Sequence, residues 1–120
     1  MFARNVSFHL KSNMLADYTR TFDKDILPVL RKQNGFRDEI TFSPRRQRGP
    51  KNQITFSGPG GTDLTLISLW DNEASAENYN INSYTDVLKT MARFIEGIPE
   101  VQISDVVSST FYRIAVLAAA

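Results

Sequence analysis

Three side chains of this sequence have the chemistry to act on a small molecule. His9 and Asn5 share the polar face of an alternating segment, and Trp70 ends a strongly apolar one. Histidine changes its charge near neutral pH, so His9 is the best general base that the chain offers. The Asn5 amide could hold oxygen or an oxyanion, and the Trp70 indole N–H could point to a ligand. The structural alternatives are a hydrogen-bonded strand histidine and a core tryptophan.

A second set of residues could line a binding cleft. Asp38 falls on the apolar face of its strand, where a desolvated carboxylate would suit proton abstraction. A place at the sheet edge, or an ion pair with an arginine, is the alternative. Other candidates are aromatic or apolar residues at helical spacing, a pattern that is typical of a core and compatible with an aromatic pocket. The candidate ligand-binding residues are Phe22, Asp38, Tyr79, Tyr84, Met91 and Phe94, and Tyr18 belongs to the same aromatic set.

The composition excludes several classes of site. The 120 residues include no cysteine and one histidine, which excludes thiolate catalysis and zinc sites with two histidines, so we expect no metal. A net charge of +1 is too small to attract nucleic acid. The longest apolar run, residues 114–120, is far shorter than the roughly 20 residues of a membrane helix. The N-terminus also lacks a signal-peptide pattern, so we expect a soluble cytoplasmic protein that binds neither nucleic acid nor membrane.

The first third of the chain predicts a strand, a helix and another strand. Residues 5–11 alternate between polar and apolar side chains, which indicates a strand. From residue 15 to residue 30, apolar side chains recur every three or four positions, which indicates a helix. Pro28 should kink this helix near residues 24–26, and Gly35 should end it. Residues 36–42 alternate again and predict the second strand.

An irregular stretch follows at residues 44–62. It contains three prolines, four glycines and the basic cluster 45–51. The tetrapeptide Ile-Thr-Phe-Ser occurs at residues 40–43 and again at 54–57. Either the two copies face each other in an extension hairpin, or the repeat arose by chance. The basic cluster is a solvated loop or a grip for an anion or a partner protein.

The second half of the chain repeats the pattern of the first. Residues 63–70 are apolar on both faces, which predicts a central strand that is covered on both sides. A helical region follows, with an interruption at residues 80–83, and Gly97 and Pro99 should end it. Residues 101–107 alternate in a final strand that could extend to Tyr112.

The order of these elements predicts an α+β fold of the ferredoxin-like βαββαβ type. Such a chain forms a four-stranded antiparallel sheet with two helices on one face. The other face would be bare and apolar, so we expect a homodimer that pairs through the sheet into a dimeric α+β barrel. The domain is expected to span residues 1–113, and residues 114–120 form an apolar C-terminal tail.

Four stretches of the sequence carry a family resemblance through their order and spacing. They are residues 5–11 (NVSFHLK), 27–36 (LPVLRKQNGF), 66–71 (LISLWD) together with 75–79 (SAENY), and 84–88 (YTDVL). Over most of residues 3–113 the chain resembles the dimeric α+β barrel superfamily, specifically its antibiotic-biosynthesis-monooxygenase-like (ABM) branch. The resemblance implies a ligand cleft between the sheet and the helices of one subunit.

The resemblance also implies a set of functions. The superfamily includes cofactor-independent oxygenases of polycyclic aromatics, haem-degrading monooxygenases, isomerases, decarboxylases and proteins without an assigned role. Asn5 and Trp70 match two positions of the haem-degrading members, but Ala92 stands where those members have their histidine iron ligand, so haem degradation is not implied.

The function that the resemblance implies is the binding of a small apolar or aromatic molecule. Such a protein would oxidise this molecule without a bound cofactor, with His9 as the base, Asn5 holding the oxygen and Trp70 as a dry wall. The alternatives are a non-enzymatic small-molecule binder and a dimeric module with another role.

Overall fold

The computed structural model of the chain describes residues 1–43, 47–48, 54–55 and 62–111. The strands are β1 (Phe2–Leu10), β2 (Phe36–Phe42), β3 (Gln47–Arg48), β4 (Ile54–Thr55), β5 (Thr62–Trp70) and β6 (Ile95–Asp105). The helices are α1 (Leu15–Thr21), α2 (Leu27–Arg31), α3 (Glu73–Asn82) and α4 (Tyr84–Met91), and a π-helical segment (Phe22–Ile26) joins α1 to α2. The predicted tail 114–120 and most of the basic cluster 45–51 lie outside the described residues. Within the described ranges, no helix has the length and apolar character needed to cross a bilayer.

The main sheet has four antiparallel strands in the order β2-β5-β1-β6. The predicted α+β class and the four-stranded antiparallel sheet are therefore confirmed. β5 is central, as the apolar character of both its faces predicted. The strands that follow each other through a helix are separated in the sheet by one other strand, which is the ferredoxin-like arrangement.

One face of this sheet packs against the helices and forms the core. In β1 the residues that face the helices are Phe2, Arg4, Val6, Phe8 and Leu10, and all five are buried. Their cross-strand neighbours on β5 are Leu64, Leu66, Ser68 and Trp70, which are also buried. We call this the helix face, and we call the opposite side of the sheet, which no described helix covers, the open face.

The first helical region is broken where the proline rule predicts. Pro28 has no N–H to donate to the carbonyl of Lys24, so an uninterrupted α-helix cannot run through this position. The chain instead forms the π-helical segment, in which the Leu27 N–H donates to the Phe22 carbonyl five residues back. Such segments rotate the following residues relative to the helix axis, and here the segment directs Phe22 towards the sheet.

The second helical region ends earlier than the sequence predicted. α4 stops at Met91, and Gly97 and Pro99 lie inside β6 instead of ending the helix. β6 is an edge strand, where a proline costs no ladder bond on its free side. Gly97 has a φ of +75° and lies at the register shift between β1 and β6, so it serves a bulge in the strand. The strand then ends at Asp105 and does not extend towards Tyr112.

The repeated tetrapeptide does not form facing strands. The first copy begins in β2, which pairs with β5. Ile54 and Thr55 of the second copy form β4, which pairs with β3 in a separate two-stranded ladder. The two copies therefore have different partners within the described residues.

Candidate functional site

The three candidate catalytic residues do not converge in one cavity. Register pairs Asn5 with Ile67 and His9 with Asp63, which places both on the open face. Trp70 pairs with Phe2 and lies on the helix face. Since the sheet separates the two sides, no single ligand can contact Asn5 and Trp70 within one subunit.

Trp70 lies in the aromatic core. Its side chain is completely buried, and its ring stacks on Tyr79 at 5.1 Å and meets Phe36 edge-on at 5.5 Å. The indole N–H donates to the Ser68 hydroxyl over 2.9 Å. The hydrogen bond of this N–H is thus satisfied inside the protein, so the indole does not offer a free donor to a ligand.

His9 and Asn5 have separate surroundings on the open face. His9 Nδ1 and Asp63 Oδ1 are 2.7 Å apart, and the imidazole remains partly exposed. The Asn5 Oδ1 atom is buried and has no hydrogen-bond partner within the described part of the chain. Their catalytic role stays a prediction, and it would require a site that is formed on the open face.

A buried arginine on the helix face is a feature that the sequence interpretation missed. Arg4 is 3% exposed, and its Nη2 donates to Asn80 Oδ1 over 2.9 Å. Its guanidinium lies 3.9 Å from the Tyr84 ring centre and 5.4 Å from that of Tyr79. The sequence does contain evidence for this burial, because Arg4 falls on the same face of the strand as the apolar residues Phe2, Val6 and Phe8. Tyr79 and Tyr84 therefore hold a cation in the core, and burial raises the pKa of Tyr79 to about 12.

Asp38 lies on the open face, and its neighbour Glu39 lies on the helix face. The register between β2 and β5 shifts between Phe36 and Asp38, so one extra residue reverses the alternation after Phe36. The exposed Asp38 carboxylate accepts the backbone N–H of Glu39 at 2.9 Å. The bulge thus removes Asp38 from the space between sheet and helices and brings Glu39 into it.

A cleft of about 350 Å³ opens between the first helical region and the strands β2 and β5. Its lining combines apolar side chains with hydroxyls and carboxylates. The described lining residues are Leu15, Tyr18, Thr19, Phe22, Asp23, Glu39, Thr41, Ser43 and Leu64. This volume lies at the small end of the 300–1,000 Å³ that is usual for ligand pockets. Of the candidate ligand-binding residues, Phe22 lines this cleft.

The most distinctive group of the cleft is the hydroxyl of Tyr18. Tyr18 is 2% exposed, and its hydroxyl oxygen is buried with no hydrogen-bond partner among the residues that the structure describes. Leaving such a group unpaired costs about 1–3 kcal/mol. Burial, together with the nearby charge of Glu39, raises the pKa of Tyr18 well above its ordinary value. The hydroxyl therefore stays protonated and is available as a hydrogen-bond donor.

Glu39 is the titratable group that faces Tyr18 across the cleft. Partial burial is the main cause that raises the pKa of its carboxyl above the ordinary glutamate value. The Thr41 hydroxyl donates to Glu39 Oε2 over 3.2 Å, which opposes the shift, and the charges of Asp38 and Asp23 add to it. A carboxyl with a raised pKa beside a cavity is suited to accept a proton from a bound molecule.

A larger cavity of about 460 Å³ lies on the other side of α1 and carries less chemistry. Asp17 and Arg20 on its rim form an ion pair with each other, and the Arg93 guanidinium lies 4.6 Å from the Phe94 ring centre. Its charged groups thus already have partners.

Met91, another predicted ligand contact, is buried in the core. Among the described residues, no three acidic or histidine side chains come together as a metal site.

Comparison with known proteins identifies the fold. The sequence matches no family model and no curated protein. A candidate antibiotic biosynthesis monooxygenase from Bacillus cereus is 16% identical, with a TM-score of 0.60 over 95% of this chain and 98% of that one. The cofactor-independent oxygenase SnoaB from Streptomyces nogalater is 10% identical, with a TM-score of 0.62 over 91% and 96%. A protein of unknown function from Nitrosomonas europaea is 14% identical, with a TM-score of 0.59 over 91% of each chain.

The chain therefore shares the ferredoxin-like α+β fold of these solved structures. At these identities the likeness concerns the fold, and it covers nine-tenths or more of each of these structures. Folds of this kind host several chemistries, so the side chains of the cleft have to carry any functional argument.

Proposed function

We propose that this protein binds a small apolar or aromatic molecule in the cleft and oxidises it with molecular oxygen without a bound cofactor. The observation that carries the proposal is the buried Tyr18 hydroxyl, which has no partner among the described residues and belongs to a cleft that also contains Glu39 and apolar side chains. The fold of the chain is shared with a cofactor-independent oxygenase, which supports the same reaction class.

The reaction needs a substrate that can supply its own electrons. Glu39 takes a proton from an acidic C–H or O–H group of the substrate, and the Tyr18 hydroxyl donates a hydrogen bond to the oxyanion that forms. The resulting anion transfers electrons to oxygen. For a ring CH₂ group, one oxygen atom becomes a carbonyl and the other leaves as water with the two hydrogens. The apolar walls Phe22 and Leu64 keep bulk water away from this anion.

The proposal assigns the roles of base and oxyanion donor to residues of the helix face. His9 and Asn5 are on the other side of the sheet, so they cannot reach a molecule in the cleft of their own subunit. Trp70 does not line the cleft, and its N–H already donates to the Ser68 hydroxyl, so the proposal gives it no part in the reaction.

Oxygen consumption with anthrone and with simple hydroquinones tests the proposal. With anthrone, labelled oxygen gas should deliver one heavy atom to the organic product, and mass spectrometry detects it. A hydroquinone should instead give the quinone and hydrogen peroxide, with no labelled atom in the organic product. We expect Glu39→Gln and Tyr18→Phe each to lower the rate by at least about tenfold. Glu77→Gln, at an exposed position of α3, is the matched control and should keep the full rate. Undiminished rates in both cleft variants would refute the assignment, and a loss confined to His9→Ala would move the site to the open face.

A non-enzymatic binder is the second candidate function. It is favoured by one observation, namely that Asn5 and Trp70, the residues that the family resemblance links to oxygen chemistry, do not meet in the cleft. A binder would show ligand-induced increases in melting temperature with no consumption of oxygen.

We also propose that the protein is a homodimer that pairs through the open face. Ile40 and Phe42 are 46% and 50% exposed on this face, beside the partly buried Ile67 and Leu69. An exposed apolar group of this kind on a small domain favours association, and an ordinary interface of about 800 Å² per partner would cover it. The unpaired Asn5 Oδ1 lies on the same face and would gain a donor from the partner or from water there.

A further inference from the structure

The charges of the cleft select the kind of molecule that it can hold. The described lining contains two carboxylates, Asp23 and Glu39, and no lysine or arginine. Asp23 comes from the π-helical segment and Glu39 from β2, so the carboxylates approach the cavity from opposite walls. The charges of Asp23 and Asp38 raise the pKa of the Glu39 carboxyl, and the charge of Arg31, which does not line the cleft, lowers it.

The neutral polar groups of the cleft add a second requirement. The Tyr18 hydroxyl is protonated, buried and without a partner among the described residues, so an acceptor on the ligand would pair with it. Leu15, Phe22 and Leu64 supply apolar surface that fits the flat face of a ring. The volume of about 350 Å³ is suitable for a molecule of one to three rings.

We propose that the ligand of the cleft is a small ring compound that carries a hydrogen-bond acceptor for Tyr18 at the end where Glu39 acts and, at its other end, a protonated amine facing Asp23. This inference rests on the proposed function and specifies its substrate class. A ligand with a carboxylate or phosphate at that end would meet the like charge of Asp23, with the charge of Glu39 in the same cleft, and is rejected. A neutral ring compound of the same size is bound with intermediate affinity.

Three probes with a common phenol ring test the inference. They are tyramine, which carries an ammonium group, 4-ethylphenol, which is neutral, and 3-(4-hydroxyphenyl)propionate, which carries a carboxylate. Their affinities for the full chain are measured by isothermal titration calorimetry near neutral pH, at low and at physiological salt. We expect tyramine to bind at least about tenfold more tightly than the propionate, with a smaller ratio at the higher salt.

Substitutions in the cleft test which residues cause the expected preference for tyramine over the propionate. The double variant Asp23→Asn and Glu39→Gln should bring the affinities of tyramine and the propionate close together, while 4-ethylphenol changes little. Tyr18→Phe should weaken all three probes by a similar factor, because the hydroxyl contacts the group that they share. Glu77→Gln removes an exposed charge from α3 and should leave the order of affinities unchanged.

The outcomes separate this inference from the proposed function. If the propionate binds as tightly as tyramine or more tightly, the inference is overturned. Binding of the neutral probe together with oxidation of anthrone would leave the proposed function intact in that case. If none of the three probes binds, or if Tyr18→Phe changes none of their affinities, the cleft itself is not the binding site and both proposals fail.

Discussion

At the scale of single residues, the proposed chemistry depends on the Tyr18 hydroxyl, which has no hydrogen-bond partner among the described residues. Tyr18 packs its ring against Phe8 and Phe94, with ring centres 5.4 Å and 6.1 Å away, so the ring belongs to the core, and the proposed function concerns the hydroxyl alone. Buried polar groups without partners are rare in folded proteins and usually have a role. The two parts of the side chain can therefore be tested separately.

Tyr18→Phe removes the hydroxyl and keeps the ring. We expect the free energy of unfolding to stay unchanged or to rise by about 1 kcal/mol, because an unpaired buried donor is lost. Tyr18→Ala is the control for the ring and should lower the free energy of unfolding by about 3–5 kcal/mol. Urea denaturation of the free protein measures both values. A clear loss of stability in Tyr18→Phe would mean that the hydroxyl has a partner after all.

Glu39 makes stability depend on pH in a defined direction. Because its pKa is raised in the folded protein, mainly by burial, the fold favours the protonated carboxyl. Its contribution is fully present below the unfolded pKa of about 4.3 and is lost as pH rises through the raised folded value. Glu39→Gln should therefore match the wild type in acid and exceed it in stability at neutral pH, as followed by thermal melts. The exposed Glu77→Gln variant should show no such gain, and an equal gain there would contradict the assignment to Glu39.

At the scale of elements, the turn from α2 into β2 fixes the position of the strand that carries Glu39. Gly35 has a φ of +80°, and its carbonyl accepts the Asp71 N–H over 2.8 Å. A Cβ atom at this position would lie 2.6 Å from the Cβ of Ser75, well inside contact distance. Gly35 therefore packs so closely against the start of α3 that any side chain at this position would clash.

Gly35→Ala and Gly97→Ala form a matched pair. Both glycines have positive φ, but a Cβ at Gly97 would meet nothing within 4 Å. We expect Gly35→Ala to lose about 2–4 kcal/mol of unfolding free energy, from backbone strain and the clash, and Gly97→Ala about 1–2 kcal/mol from strain alone. Urea denaturation compares them, and equal losses would mean that the clash at Ser75 is relieved by movement.

Some features of the helices and strands could be predicted from the sequence, and others could not. The strand and helix periods predicted the order of the elements, and Pro28 predicted the break near residues 24–26. The end of α4 was predicted wrongly, because Phe94 and Ile95 continue the apolar spacing of the helix although Ile95 already belongs to β6. The bulge after Phe36 has no local signal in residues 36–42, so the exchange of Asp38 for Glu39 on the helix face could not be predicted.

At the scale of the whole molecule, the two faces of the sheet differ in burial and in the residues that they carry. The helix face contains the aromatic core and the cleft, while the open face carries exposed Ile40 and Phe42 together with His9 and Asn5. A dimer through the open face would cover its apolar half and leave the cleft of each subunit accessible. Association and ligand binding should therefore respond to different substitutions.

Ile40→Asp places a charge in the proposed interface. We expect the wild type to be dimeric at micromolar concentrations and this variant to be monomeric, because a buried carboxylate without a partner is strongly unfavourable. Sedimentation equilibrium measures the change. Ile81→Asp is the matched control, since Ile81 is exposed on α3, on the helix side of the sheet, and this variant should remain dimeric. A monomeric wild type, or a dimeric Ile40→Asp variant, would contradict the interface.

The α+β class, the order of the elements and the central place of β5 were predicted from the sequence alone, because they depend on local periodicity, which repeats within each element and can be read along the chain. The resemblance to ABM-like proteins was also visible in the sequence, through the order and spacing of four short stretches. The tertiary structure decided which side chains share a space. It put Asn5 and Trp70 on opposite sides of the sheet, paired the Trp70 N–H with Ser68, and brought Glu39 opposite Tyr18. These relations depend on strand register and on one bulge, and both are fixed by contacts between segments that are distant in the sequence.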